Sequence, residues 1–224
     1  MFFDLDHTLW DFETNSRSAI AELYDEMDLQ KLGFLLDDYW PVYQRCNEYC
    51  WDMYRKNQMN KELLRHQRFY LSLKEFGITD RQLAKKLGKR YVDMSPFKTA
   101  LMPGSIEILE YLHPKYPLHI ITNGFEEVQF LKMKNSGIEK YFTRIITSEK
   151  VGKRKPEPRI FEYALKMAGC DATQAMMIGD NLEIDIQGAI NSGLSAIWYN
   201  FHQEEIPHLT HPAIHHLDEL RNYL

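Results

Sequence analysis

Two aspartates two positions apart, Asp4 and Asp6, close the apolar stretch with which the chain begins, MFFDLD. On an extended strand residues i and i+2 share a face, so this spacing delivers two carboxylates to one place. Like charges held that close repel unless a cation or a shared proton compensates. The chemistry open to such a pair is therefore the holding of a cation or the sharing of a proton. The ordinary alternative is a strand that runs into an acidic turn, with Asp6 capping the next element. Read as three fixed positions, D-x-D-x-T arises by accident in roughly a few per cent of chains this long.

Three further polar groups follow apolar runs. In ITNG, Thr122 offers a hydroxyl, Asn123 and Gly124 offer backbone N–H groups, and the glycine permits close approach of an anion. A plain strand-to-helix turn would look the same. In VGKRKPEPRIF, Pro156 keeps Lys155 out of the helical region and Pro158 suits the first turn of the next helix. Lys155 is thereby held extended as a fixed point charge, while Lys153 and Arg154 are expected to be solvated. In MIGDNLEID, Asp180 follows an apolar strand and Asp185 lies about one turn into the next helix. Hard oxygen ligands of this kind suit Mg²⁺, which keeps several waters and takes one or two carboxylates. Helix capping by Asp180 or Asn181 is the alternative and is compatible with metal binding.

The elements that must position these groups are short β-rich runs at 118–122, 144–147, 175–178 and 195–199. They alternate with amphipathic helices at 105–112, 126–136, 159–168 and 182–192. Alternation of this kind predicts an α/β fold with a Rossmann-like parallel sheet covered on both faces, and ligands at the carboxyl ends of its strands. The first strand belongs to that pattern but is separated from it by a block that reads as helix from 14 to 91. Punctuation falls at Gly33, at Trp40–Pro41, at 57–60 and at Gly77. The block is an insertion, so the expected division is a core of 1–12 and 97–224 and an all-helical cap of 13–96. Only three residues precede Asp4, fewer than a central strand ordinarily has. The expectation is that a few native residues are missing ahead of Met1.

At 224 residues the chain can bury one sizeable core plus a smaller attached one. The formal charge of −5 disfavours polyanionic partners such as nucleic-acid polymers or a membrane surface. No apolar run approaches the ~20 residues of a membrane span, and no secretory leader is evident; the expected location is cytoplasmic. Cys46, Cys50 and Cys170 are too few and odd in number for a disulfide framework. Cys46 and Cys50 share a helix face but lack a second pair to complete a metal site. The five histidines from His202 to His216 are irregularly spaced and read as solvated.

Taken together and in this order, DLDHT, ITN, the lysine of KPEP and GDNLEID resemble the four motifs of the haloacid dehalogenase superfamily of aspartate-nucleophile hydrolases. The resemblance covers the whole chain, including a helical cap after the first motif. It implies that Asp4 attacks phosphorus to form an aspartyl phosphate. Asp6 protonates the leaving oxygen and then activates the hydrolytic water. It further implies Mg²⁺ held by Asp4, by the backbone carbonyl of Asp6 and by Asp180. Asp185 would hold a metal-bound water or orient Lys155, and Thr122, the amide of Asn123 and Lys155 would clamp the phosphoryl group.

Within that family Asp6 favours phosphoryl over carbon–halogen chemistry, since a halide needs no acid to leave. The stretches TLWDFETNS, ITNGFEEVQ, SEKVGKRKPEPRIFEYAL and IGDNLEIDIQGAINSGL are similar to the branch of 5′-nucleotidases acting on pyrimidine and noncanonical nucleoside monophosphates. The expected activity is hydrolysis of a small phosphorylated metabolite, a nucleoside 5′-monophosphate, by a monomer or weak homodimer. The competing readings are a sugar-phosphate phosphatase or phosphomutase, a dehalogenase, and a non-catalytic phosphate sensor. Selection of the base is expected from cap aromatics among Tyr39, Trp40, Tyr43, Tyr49, Trp51 and Tyr54.

Overall fold

The computed structural model describes residues 1–205 and 211–224. His208 lies outside the described residues. Strand β1 (Phe2–Phe3) is followed by four helices, α1 (Phe12–Glu26), α2 (Leu36–Arg55), α3 (Lys61–Glu75) and α4 (Arg81–Met94). Asn60 caps α3 by accepting from the Leu63 N–H at 2.8 Å, and Asp80 caps α4 by accepting from Gln82 and Leu83. Each satisfies donors that the first turn of a helix leaves without partners.

The break expected at Trp40–Pro41 is absent, because α2 runs through Pro41. A proline inside a helix costs about 3 kcal/mol. Burial of the flanking Tyr39 and Tyr43, each 1 % exposed, offsets that cost, since a fully buried large side chain contributes about 1.5–3 kcal/mol. These rings join Ile20, Leu23, Phe69, Leu73, Leu87 and Tyr91 in one hydrophobic cluster. Within it the buried Arg68 guanidinium lies 4.5 Å from the centroid of Tyr91 and donates to Asn47 Oδ1 at 2.9 Å.

After α5 (Ser105–Leu112) come β2 (Leu118–Thr122), α6 (Glu126–Asn135), β3 (Phe142–Thr147), α7 (Ser148–Val151), α8 (Pro158–Ala168) and β4 (Met176–Gly179). A π-helical turn (Leu182–Gln187), α9 (Gly188–Asn191), β5 (Ser195–Tyr199), β6 (Ala213–Ile214) and a 3₁₀ helix (Leu217–Asn222) follow. All six strands are parallel, in the order β3-β2-β1-β4-β5-β6. Side chains alternate across the sheet. Phe3, Ile120, Ile178 and Ile197 therefore meet α5 and the C-terminal residues Leu217 and Leu220 on one face, while Phe2, Ile121, Met177 and Trp198 meet α8 and α9 on the other. This is the predicted α/β architecture, with helices on both faces of a parallel sheet. The expected helix at 182–192 differs: Ile186 N–H reaches back five residues to the Asn181 carbonyl, opening the first turn into a π-helix.

The chain divides into two compact units, Met1–Phe12 with Thr99–Leu224, and Glu13–Lys98. In the first, the segments on either side of the inserted residues are clasped together. Asp11 N–H donates to the Ala100 carbonyl at 3.1 Å and Met102 N–H to the Leu9 carbonyl at 2.9 Å, with Trp10 and Leu101 paired antiparallel. Among the described residues no helix is long and apolar enough to cross a membrane.

Candidate active site

Strand β1 sits between β2 and β4, with Phe3 in register with Ile120 on one side and Ile178 on the other. That register brings three strand ends together although they are far apart in sequence. Asp4 extends the ladder by donating its N–H to the Ile178 carbonyl at 2.9 Å. Carboxylate oxygens of Asp4, Asp180 and Asp185 lie within 4.8 Å of one another. Lys155 enters the same cluster, its Nζ donating to Asp4 Oδ1 at 2.6 Å and standing 2.6 Å from Asp185 Oδ1.

Each member of the cluster is held from behind. Asp180 Oδ1 accepts from Thr8 Oγ1 at 2.9 Å and its carbonyl accepts from Trp198 Nε1 at 2.7 Å. Asp185 Oδ2 accepts from the Asn181 N–H at 3.1 Å. Residue 179 must be glycine here, because a Cβ on it would lie 2.5 Å from the Asp185 carboxylate. Asn123 pairs through both ends of its carboxamide with the backbone of Lys155. Thr122 Oγ1 accepts from the Gly124 N–H at 3.1 Å and from Gln129 Nε2 at 2.7 Å. Both of its lone pairs are engaged, so its own hydrogen is left to donate.

The charges do not balance. Burial pushes the Asp4 carboxyl up to about 7, with Lys155 opposing and Asp185 adding to the rise. Burial likewise pushes Asp180 up to about 7, and the charge of Asp4 adds to it. Asp185 is raised by burial against the pull of Lys155. Burial alone would lower Lys155, but Asp185 and Asp4 hold it above the usual lysine range. One ammonium among three carboxylates, Asp185 buried and Asp4 and Asp180 partly so, leaves an excess of negative oxygen donors, and that set fits a hard divalent cation such as Mg²⁺.

Asp6 belongs to a different environment. Its carboxylate lies outside the group of three, with Oδ2 accepting from Gln129 Nε2 at 2.8 Å and Oδ1 accepting from Lys132 Nζ. Burial would raise its pKa, but the charge and hydrogen bond of Lys132, with the bond from Gln129, bring it below the usual value. The i, i+2 spacing thus supplies two carboxylates of unlike character. The turn after Asp6 is tight, with His7 at φ 63° and both Leu9 and Trp10 N–H groups donating to the Leu5 carbonyl.

Asp4, Asn123, Lys155, Asp180 and Asp185 are brought together by these contacts, while Gln129 bridges Thr122 and Asp6. Lys153 is half-exposed and pairs with Glu157 at 2.6 Å. Gln129 and Lys132 are the two residues that the motifs did not supply. No periodicity in EEVQFLKMKN marks their side of the helix as the buried one, because the apolar Phe130 and Leu131 are exposed while Gln129 and Lys132 are buried. Cys46 and Cys50 join no metal-competent cluster among the described residues; burial raises both thiols, Cys50 to about 11.

The family model for haloacid dehalogenase-like hydrolases matches residues 1–193. The chain belongs to the haloacid dehalogenase-like hydrolases. Among members of this family it is similar to the pyrimidine 5′-nucleotidase YjjG of Escherichia coli, at 30 % identity over 98 % of this chain and 96 % of that protein. It is also similar to the pyrimidine 5′-nucleotidase PynA of Streptococcus pneumoniae, at 30 % identity over 92 % of this chain and 85 % of the other. A magnesium-bound crystal structure of YfnB from Bacillus subtilis superposes with a TM-score of 0.89 at 27 % identity, covering 100 % of this chain and 96 % of that one. The family relationship makes the chain a hydrolase.

Proposed function

We propose that this hydrolase is a Mg²⁺-dependent phosphomonoesterase acting on nucleoside 5′-monophosphates, with Asp4 as nucleophile and Asp6 as acid and base. The observation that carries the reading is the pairing of unlike carboxylates: Asp4 is 2.6 Å from Lys155 in an acidic cluster, and Asp6 is held apart by Gln129 and Lys132. In the first step an Asp4 oxygen attacks phosphorus and the ester P–O bond breaks, with the Asp6 proton passing to the departing alcohol oxygen. In the second, Asp6 takes a proton from the water that attacks the aspartyl phosphate. The acyl-phosphate P–O bond breaks, releasing inorganic phosphate and restoring Asp4. Lys155, the Thr122 hydroxyl and the amide of Asn123 bind the phosphoryl oxygens.

Asp4, Asp180 and the Asp6 carbonyl would hold Mg²⁺, with Asp185 supporting the site. When bound, the ion supplies charge neutralisation for the phosphoryl oxygens and lets Asp4 ionise beside its neighbours. The nucleotide assignment is supported by similarity to two pyrimidine 5′-nucleotidases along most of the chain, inserted helices included. Tyr39, Tyr43 and Tyr54 are buried in the helical unit, so stacking against a base falls to Trp40, Tyr49 and Trp51, which keep exposed surface.

The test compares kcat/KM for dUMP, dTMP and UMP with values for sugar phosphates of similar charge. Nucleotides are expected to lead by at least tenfold, and single Ala changes at Trp40, Tyr49 or Trp51 to narrow that lead. Better turnover of sugar phosphates would replace the nucleotide assignment with a phosphosugar one.

A further inference from the structure

Helix α6 carries two polar side chains that the reaction above leaves without a role. Gln129 is fully buried and Lys132 is 5 % exposed. Burying an ammonium is unfavourable unless it is closely paired. Both side chains are aimed at one group: Lys132 Nζ donates to Asp6 Oδ1, and Gln129 Nε2 donates to Asp6 Oδ2 at 2.8 Å.

The two donors are themselves fixed. The Lys132 ammonium lies 3.9 Å from the centroid of the Trp10 ring, a cation–π contact that restrains it further. Gln129 Nε2 also donates to Thr122 Oγ1 at 2.7 Å. Its amide fills the space that a Cβ at residue 124 would need, 2.4 Å away, so Gly124 is required for it to fit. A carboxylate rotates readily about its terminal torsion. With both oxygens engaged by buried donors, that of Asp6 has a single orientation.

We propose that Lys132, seconded by Gln129, is a positioning residue for leaving-group protonation, fixing the Asp6 carboxyl in the orientation from which its proton reaches the departing oxygen. The assignment rests on the phosphatase reading. The proton that Asp6 takes from the hydrolytic water is the one it gives to the ester oxygen of the next substrate as the P–O bond breaks. Lys132 neither gives nor keeps one, and its pull toward the ionised carboxylate is outweighed by the orientation it fixes. Its contribution is orientation, which is lost when the acid can rotate.

Leaving groups differ in their need for that proton. An alkoxide such as a nucleoside 5′-oxygen requires it, whereas p-nitrophenolate departs readily as the anion. The decisive measurement is therefore kcat/KM for Lys132→Met across a series of aryl phosphates ending in an alkyl phosphate. This ratio reports on events through leaving-group departure and is blind to later hydrolysis of the aspartyl phosphate. The expected loss is about 100-fold for the alkyl ester, as for removal of general acid catalysis, and under about threefold for p-nitrophenyl phosphate. The plot against leaving-group pKa should become steeper, with KM little changed. Lys132→Arg should recover most of the alkyl-ester rate, and Gln129→Leu, which keeps the ammonium, should show the same pattern at about tenfold.

Melting curves establish that each variant is folded. If Lys132→Met does not fold, the Arg and Leu variants decide the matter by the same slope. Equal losses on all esters, or a rise in KM alone, would overturn the assignment. If Asp4→Asn is inactive while the slopes stay parallel, only the role of Lys132 falls. If the wild type hydrolyses none of the esters, the phosphatase reading falls and this assignment with it.

Discussion

The carboxamide of Asn123 brackets the backbone of Lys155, its Nδ2 donating to the carbonyl at 2.9 Å and its Oδ1 accepting from the N–H at 2.9 Å. Two antiparallel hydrogen bonds of this kind fix a peptide much as a neighbouring strand would. They anchor the start of a side chain whose far end meets Asp4. Asn123 thus works through its side chain on Lys155, in addition to any service of its backbone N–H to an anion.

Asn123→Asp keeps the acceptor and loses the donor, and Asn123→Ala loses both. Each should lower kcat by about 10- to 100-fold through displacement of Lys155. Lys155→Met should lose about 10²–10³-fold, the usual cost of removing one donor to a developing oxyanion. Lys153→Ala, at a surface pair with Glu157, should stay within about twofold. Equal effects at 153 and 155 would reduce the basic run to a solvated patch.

Asp4→Asn should abolish turnover, since a carboxamide cannot form the aspartyl phosphate. It should also remove one of three mutually repelling carboxylates. The variant is therefore expected to melt, without metal, at or above the wild-type temperature. Steady-state rates and calorimetry on one preparation test both halves. Near wild-type rates would exclude the covalent mechanism.

Chelation should eliminate activity and Mg²⁺ should restore it. Asp180→Ala should raise the Mg²⁺ concentration for half-activation by about tenfold or more, as loss of a ligand requires. Undiminished rates after exhaustive chelation would mean that the acidic cluster serves another purpose.

A pH effect on stability is expected from His119, a buried residue whose ring centroid lies 5.1 Å from that of Phe2 and whose Nδ1 has no hydrogen-bond partner among the described residues. Burial, aided by the N-terminal ammonium and then by Arg144, lowers its pKa to about 4, against about 6.5 in the unfolded chain. Between those values the unfolded state binds the extra proton, so stability is complete above about pH 6.5 and is lost as pH falls toward 4. Allowing for partial screening, the loss is about 2 kcal/mol. Urea midpoints for wild type and His119→Leu across that window provide the check. An unchanged pH slope in the variant would assign the acid sensitivity elsewhere.

The strand ends and the residues on them were readable because apolar runs, glycines and prolines punctuate the core cleanly. The strand at Leu118–Thr122 and the helix at Ser105–Leu112 match their expected limits. Pro41 misled because local propensity marks a helix boundary there, while Tyr39 and Tyr43 gain more from burial than the helix loses. The π-helical turn at Leu182–Gln187 was hidden because its cause is one register choice at Asn181, which no periodicity encodes. Gln129 and Lys132 escaped for a related reason: their partner, Asp6, is more than a hundred positions away, and only the parallel pairing of β1 with β2 brings α6 beside it.

The clasp between residues 9–11 and 100–102 gives the molecule a particular freedom. To the sheet, everything from 13 to 98 is a single closed loop. The entropy of closing a loop grows only with the logarithm of its length, so even doubling the insert would cost about 0.6 kcal/mol. A lineage can lengthen, trim or exchange those helices with little penalty to the strands whose ends present Asp4 and Asp180. Novelty in what is recognised can then accumulate in one stretch of the gene while the stretches on either side remain under the constraint of a fixed reaction.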